Sequence, residues 1–210
     1  MMSARTLPTV VSTLAAGALL VAGAAAHAAA HSEVDLGAVP SGTYQNDPMH
    51  SYLTFSYDHL GLSTPMLSFD DFTIEMNLDN TDPTKSMVSV SIDPSSIVAG
   101  SETWQGHITG PDFFDVANHP DITFQSSTIE AAGDGAYKVD GDLTIKGESK
   151  PVTLTVTINA AMNHPMSGEP VVGLNGTGTV LRSDYGLDKY VPNIGDEVTL
   201  EFTAEMVKAQ

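Results

Sequence analysis

Eight stretches between Ser51 and Met206 alternate apolar and polar residues with a period of two. After residue 28 no stretch carries the 3.6-residue period of a long amphipathic helix. The stretches are Ser51 to His59 (Leu53, Phe55 and Tyr57 on one parity), Phe72 to Leu78 (Ile74, Met76) and Met87 to Ile92 (Val88, Val90). A fourth opens at Ile122 and Phe124, followed by Tyr137 to Ile145 (Val139, Leu143) and Val152 to Ile158 (Leu154, Val156). The Gly/Thr-rich run Val171 to Arg182 and Val198 to Met206 (Leu200, Phe202) complete the set. Period two turns alternate side chains to one face, so each stretch reads as a strand with an apolar side. Turn residues join them over short distances, as in Asn80-Thr81-Asp82-Pro83, Ala132-Gly133-Asp134-Gly135, Lys146-Gly147 and Asn193-Ile194-Gly195-Asp196. Such spacing predicts antiparallel hairpins forming either a sandwich or a closed up-and-down barrel, and an eight-stranded barrel has room for one small ligand. Alternation fails from 95 to 118, where one or two short helices are expected.

The first 28 residues belong to a different kind of segment. Met1 to Thr6 holds Arg5, Val10 to Ala26 is a small-residue apolar run, and Ala26-His27-Ala28 is a small-x-small cleavage pattern. This is the layout of a secretory signal peptide, and the Ala/Gly-rich run is barely long enough to span about 30 Å of hydrocarbon. No stable membrane insertion is expected after cleavage. The chain has no cysteine, so export implies an unstapled domain, which fits the bacterial periplasm best. The expected organisation is a signal peptide over 1–28, a short flexible segment over 29–41 and one barrel domain over 42–208. After residue 28 the chain keeps every basic residue but Arg5, against all 26 Asp+Glu, so the formal charge of −18 becomes −19. A field of that sign disfavours nucleic acid and anionic lipid surfaces as partners.

Catalytic chemistry finds no constellation here. There is no Gly-x-Ser-x-Gly elbow and no cysteine, and Asp58 points away from Ser51 and His59 along one strand. No enzymatic activity is expected. His50, His59, His107, His119 and the Met162-x-His164-x-Met166 loop match no standard metal spacing, so no metal is assigned. Gly173, Gly176 and Gly178 suggest close backbone approach or strand curvature, not a phosphate loop.

The stretch from Asp112 to Leu154 carries most of the remaining information. Asp112-Phe113-Phe114-Asp115, Asp121-Ile122-Thr123-Phe124 and Gly141-Asp142-Leu143-Thr144-Ile145-Lys146-Gly147 fall in order with Asp47-Pro48-Met49-His50-Ser51, His59-Leu60-Gly61 and Arg182-Ser183-Asp184-Tyr185-Gly186. Together these segments resemble the YceI family over about Gly42 to Val207. The resemblance implies an all-β, lipocalin-like, eight-stranded antiparallel barrel of the periplasm. It also implies an elongated tunnel holding a long amphiphile such as an isoprenoid quinone, a polyisoprenoid or a fatty-acid derivative. No cofactor beyond such a bound lipid is implied.

Parity nominates Leu53, Phe55, Phe72, Ile74, Met76, Phe124, Leu143, Leu154, Val156 and Phe202 as tunnel wall. His59 is the polar group expected at the mouth. Trp104, Phe113 and Phe114 are assigned to the tunnel end, the two phenylalanines as gate or as plug. Arg182 is expected to pair with Asp184 or another nearby acid, and the shortage of other cations argues for an uncharged ligand head. Asp70 and Asp71 are expected to acidify the mouth. A homodimer is left open, and the alternative function is a structural or stress-related protein with a filled barrel.

Overall fold

The computed structural model describes residues 34–210; the expected signal peptide lies outside them. The described chain winds into one antiparallel sheet closed on itself. Its strands are β1 (Gly42–Asn46), β2 (Tyr52–His59), β3 (Met66–Phe69), β4 (Phe72–Leu78), β5 (Met87–Ile92) and β6 (Ile97–Val98). After helix α1 (Glu102–Ile108) come β7 (Ile122–Gly133), β8 (Ala136–Ile145), β9 (Glu148–Asn163), β10 (Pro170–Leu181) and β11 (Ile194–Lys208).

Eleven strands make eight staves. β1 and β2 both pair with β11, Tyr44 opposite Lys208 and Leu53 opposite Phe202. They form one stave broken at Asp47 to Ser51. β4 pairs with β1 while β3 pairs with β2, and β5 pairs with β4 while β6 pairs with β3, so these too are broken single staves. Each of the eight expected strands is thus present. β1, β3 and β6 extend three of them past breaks that interrupt the alternation and hide the continuation. The ladder closes through β1 and β11, leaving the upper part of the seam between β6 and β7 to α1 and the turns that follow.

β4 shows why the pattern folds this way. Ile74, Met76 and Leu78 are buried inward, and Thr73, Glu75 and Asn77 are exposed outward. The barrel therefore has an apolar inside and a wet outside, and among the described residues no helix is long and apolar enough to cross a membrane. Tight hairpins use residues that tolerate positive φ: Lys146 (φ 52) and Gly147 (φ 79) join β8 to β9, and Asp134 (φ 52) and Gly135 (φ 74) join β7 to β8. Of the segment Asn193 to Asp196, expected as a turn, Asn193 ends one, and the rest is the start of β11, which opens at Ile194.

Two buried clusters fill different levels. One gathers Phe55, Phe69, Ile108, Phe114, Ile122, Tyr185 and Leu187 at the end covered by α1. The other gathers Leu36, Val39, Tyr44, Met76, Val172 and Met206 at the opposite end. Leu36 and Val39 lie in the segment expected to be flexible, yet both are buried. A short 3-10 turn (Leu36–Ala38) capped by Asp35 seats them in the barrel end.

Candidate ligand cavity

The barrel is hollow at two levels. The upper chamber, under α1, has a volume of about 610 Å³, and the lower one about 150 Å³. Leu53, Ile92, Leu143 and Leu200 line both. They form a waist between the two.

All fifteen nominated side chains line one chamber or the other. Phe72, Ile74, Met76, Phe124, Leu154, Val156 and Phe202 wall the lower chamber, where no charged side chain is found. Phe55, His59, Trp104, Phe113, Phe114 and Arg182 border the upper one, and Leu53 and Leu143 belong to both. Thr54, Tyr57, Tyr185, Leu187, Lys189, Tyr190 and Ile194 also line the upper chamber. Parity nominates none of the lining residues from 185 to 194, because they lie in or beside an irregular connection with no period.

Small inward residues keep the lower chamber open. A Cβ on Gly176 would lie 1.9 Å from Phe202 Cζ, and one on Gly141 would lie 2.5 Å from Phe124 Cζ. Each glycine faces the barrel interior and lets a ring lie flat along the wall instead of crossing the lumen. Gly173 has no such neighbour and sits at a register shift, so close approach and curvature are divided among the three expected glycines.

At the covered end the two phenylalanines part company. Phe114 is buried, its ring centroid 5.8 Å from Phe69 and 6.4 Å from Phe55, edge-on to both. Phe113 is half-buried and packs on His107 at 5.0 Å and Trp104 at 6.0 Å. Phe114 is the plug, and Phe113 belongs to an aromatic flap carried by α1. Helix α1 is short but capped, with Ser101 Oγ accepting from the Trp104 N–H at 3.3 Å.

Arg182 does not pair with Asp184. Its Nε donates to the Gly195 carbonyl at 2.7 Å, Nη2 to the Ile194 carbonyl at 2.9 Å, and Nη1 to the carbonyls of Lys189 (3.0 Å) and Leu187. The planar fork ties the 187–195 connection together from inside. Asp196 accepts from the Ser183 N–H and Oγ–H and stays close enough to favour the guanidinium, against the burial that lowers its pKa. Parity cannot reveal this, because the partners are carbonyls of an irregular loop. Lys189 is engaged as well, donating to Asp112 across the mouth and lying 5.4 Å from the Tyr190 ring. Asp70 and Asp71 line neither chamber; they form the break between β3 and β4, where the Asp70 N–H donates to the Ser96 carbonyl.

Three phenols border the upper chamber: Tyr57, Tyr185 and the exposed Tyr190. Burial pushes the Tyr185 hydroxyl up to about 12 and raises that of Tyr57, so both are neutral donors at ordinary pH. Neither hydroxyl hydrogen-bonds a described residue. Among the described residues the grouping of three metal-ligand types is Asp47, His50 and Glu205. It sits at the β1–β2 break, none of its members lines a chamber, and His50 Nδ1 lies 2.6 Å from Asp47 Oδ2.

A model of the YceI-like domain matches residues 44–206. The chain belongs to the YceI family. A UPF0312 protein of Pseudomonas putida (strain F1) is 34% identical over 138 residues, covering 66% of this chain and 71% of that protein. Among solved structures, Burkholderia cenocepacia BcnA superposes with a TM-score of 0.68 at 26% identity, covering 78% of this chain and 99% of BcnA. A polyisoprenoid binding domain from Saccharophagus degradans, implicated in plant cell wall breakdown, superposes with a TM-score of 0.59 at 14% identity, covering 81% of this chain and all of the domain. These likenesses agree with the closed eight-stave barrel.

Proposed function

We propose that this YceI-family chain is an exported, periplasmic, non-catalytic carrier of a long amphiphile with an uncharged, oxygen-bearing head, such as an isoprenoid quinone or a fatty amide. The observation that carries the reading is a pair of apolar chambers that share the wall residues Leu53, Ile92, Leu143 and Leu200, and whose bordering cations are already engaged. A tail laid along the axis is held by area removed from water, at about 25 cal/mol per Å². The upper chamber lies within the ~300–1,000 Å³ usual for small-molecule sites. A diphosphate head needs free cations; Arg182 is spent on four carbonyls and Lys189 on Asp112. A quinone or amide oxygen needs only a donor, which Tyr57 and Tyr185 supply. The polyisoprenoid binding named for the Saccharophagus domain supports the same ligand class.

Native mass spectrometry of protein purified from its own host is the direct test. An uncharged prenyl or acyl lipid is expected in the complex. A prenyl diphosphate would overturn the head assignment, and an empty protein whose Trp104 fluorescence shows no saturable response to quinone or fatty amide would overturn the carrier reading. Tyr185→Phe should weaken quinone binding by roughly three- to tenfold, the loss of one neutral hydrogen bond, and leave binding of a plain hydrocarbon unchanged.

A further inference from the structure

We propose that the mouth of the upper chamber is a docking face for a zwitterionic lipid bilayer, entered by Leu60 and Leu62. The proposal rests on the carrier reading, because its purpose is to pass the cargo between membrane and lumen without crossing water. The loop between β2 and β3 turns through Leu60 (φ 62) and Gly61 (φ 67). Glycine takes that conformation freely; a leucine there is uncommon, and the surrounding structure has to hold it. The hold is visible. The Gly61 N–H donates to Asp58 Oδ1 at 2.9 Å, the Leu62 N–H to the His59 carbonyl at 3.0 Å, and the His59 N–H to the Ser63 carbonyl at 2.9 Å. The effect of this pinned loop is to leave Leu60 52% and Leu62 81% exposed.

A second departure sits beside it. Tyr190 also has positive φ (69) and is 53% exposed, and it lines the upper chamber together with exposed Met66. Ile194 pairs with His59, so the 190–194 connection abuts the Leu60 loop. Two bulky residues held in the left-handed region thus flank one opening, with apolar side chains continuing outward from the apolar lining of the cavity.

Charge decides the kind of surface. The two cations at this opening are engaged, Lys189 by Asp112 and Arg182 by the carbonyls of the 187–195 connection, while Asp58 beside Gly195 and Asp188 near Arg182 add negative charge. An anionic bilayer is repelled. Zwitterionic lipid is not, and tyrosine suits its interface, with an apolar body and a wet hydroxyl.

The test floats the purified chain with phosphatidylcholine vesicles carrying a long-chain quinone, and follows quinone transfer into the protein. The wild type is expected to float with these vesicles, and less with vesicles rich in phosphatidylglycerol. Leu60→Ser combined with Leu62→Ser should cut flotation and transfer rate by roughly tenfold, given the apolar area removed, and Leu60→Met with Leu62→Met should restore both. Titration with a water-soluble short-tailed quinone should be unchanged in every variant, which shows that the fold and lumen are intact. Unchanged flotation and transfer in the serine variant would overturn the docking face. So would a concentration-dependent dimer that the serine variant abolishes, since a second copy would then cover the rim. Failure of the soluble quinone to bind the wild type would sink the carrier reading instead, with flotation still deciding the docking face.

Discussion

The two halves of the barrel are built on opposite rules. The lower half is regular: alternating side chains wall it, and inward glycines let Phe124 and Phe202 lie flat, leaving a narrow channel of about 150 Å³. The upper half is irregular: a short helix, a loop strapped by Arg182 and a pinned Leu60 turn surround about 610 Å³. On the proposed carrier reading, a regular wall makes a slot for a tail of indifferent chemistry. An irregular rim is what can hold donors, a flap and a doorway.

If Arg182 is the strap of the upper half, removing it should have the largest effect. Arg182→Met leaves four carbonyls of the 187–195 connection without their donor, and the expected loss is about 4 kcal/mol, or roughly 10 °C in thermal midpoint. Arg182→Lys should rescue little, because an ammonium cannot present the fork. Hydrogen exchange should rise first around β11 residues 194–198 and the 3-10 turn Arg182–Tyr185, with β4 and β9 protected as before. A loss below about 1 kcal/mol would show that the guanidinium is merely accommodated.

The plug comes next. Phe114→Ala should cost about 3 kcal/mol, since it empties a buried site between Phe55 and Phe69, while Phe113→Ala should cost about 1 kcal/mol or less. Chemical denaturation of both variants measures the difference. Equal losses would erase the distinction between plug and flap.

The lower half is tested through its glycine. Gly176→Val puts a Cβ where the Phe202 ring lies, forcing the ring into the channel at a cost of about 1–3 kcal/mol. Wild-type affinity should grow with ligand tail length, each buried methylene adding about 0.8 kcal/mol, until the lower chamber is full. In the variant the growth should stop at the waist formed by Leu53, Ile92, Leu143 and Leu200. Identical tail-length curves would mean that the ligand never passes that waist.

The contrast between halves also explains what could be read in advance. All eight staves were legible, because period-two alternation is a local signal that burial on one face imposes. The lower wall followed directly, since Ile74, Met76, Leu154 and Phe202 face inward by parity alone. In the upper half parity reaches Leu53, Phe55 and His59, while Trp104, Phe113 and Phe114 stand out as aromatics in a segment where alternation fails. Tyr185, Leu187, Tyr190 and the carbonyl partners of Arg182 are placed by tertiary contacts between distant loops, and no period marks them. Arg182, expected to pair with Asp184 or another nearby acid, has Asp196 as the acid that favours its charge, but its hydrogen bonds go to four carbonyls. Charge predicts that a buried arginine needs satisfaction but cannot choose between a carboxylate and a set of carbonyls.

The smallest expected effect lies where the halves join. The break between β1 and β2 is closed by His50 Nδ1 on Asp47 Oδ2, and the Met49 N–H donates to Asp47 Oδ1 at 2.9 Å. The shared hydrogen bond holds the Asp47 carboxyl below its ordinary value of 3.8 and the His50 ring above its ordinary 6.5. The contribution from His50 is therefore complete below pH 6.5 and is lost as pH rises through its raised value. That from Asp47 is complete above pH 3.8 and is lost as pH falls through its lowered value. The clip is at full strength between the two. Asp47→Asn should drop the His50 midpoint back toward 6.5, read from the ring protons by NMR, with little change in thermal midpoint because His50 is exposed. A His50 midpoint that does not move would show that the break is set by the backbone bonds from Asp47 N–H to the Glu205 carbonyl and His50 N–H to the Asp47 carbonyl. The kink between the two halves would then be a property of the chain path, independent of pH.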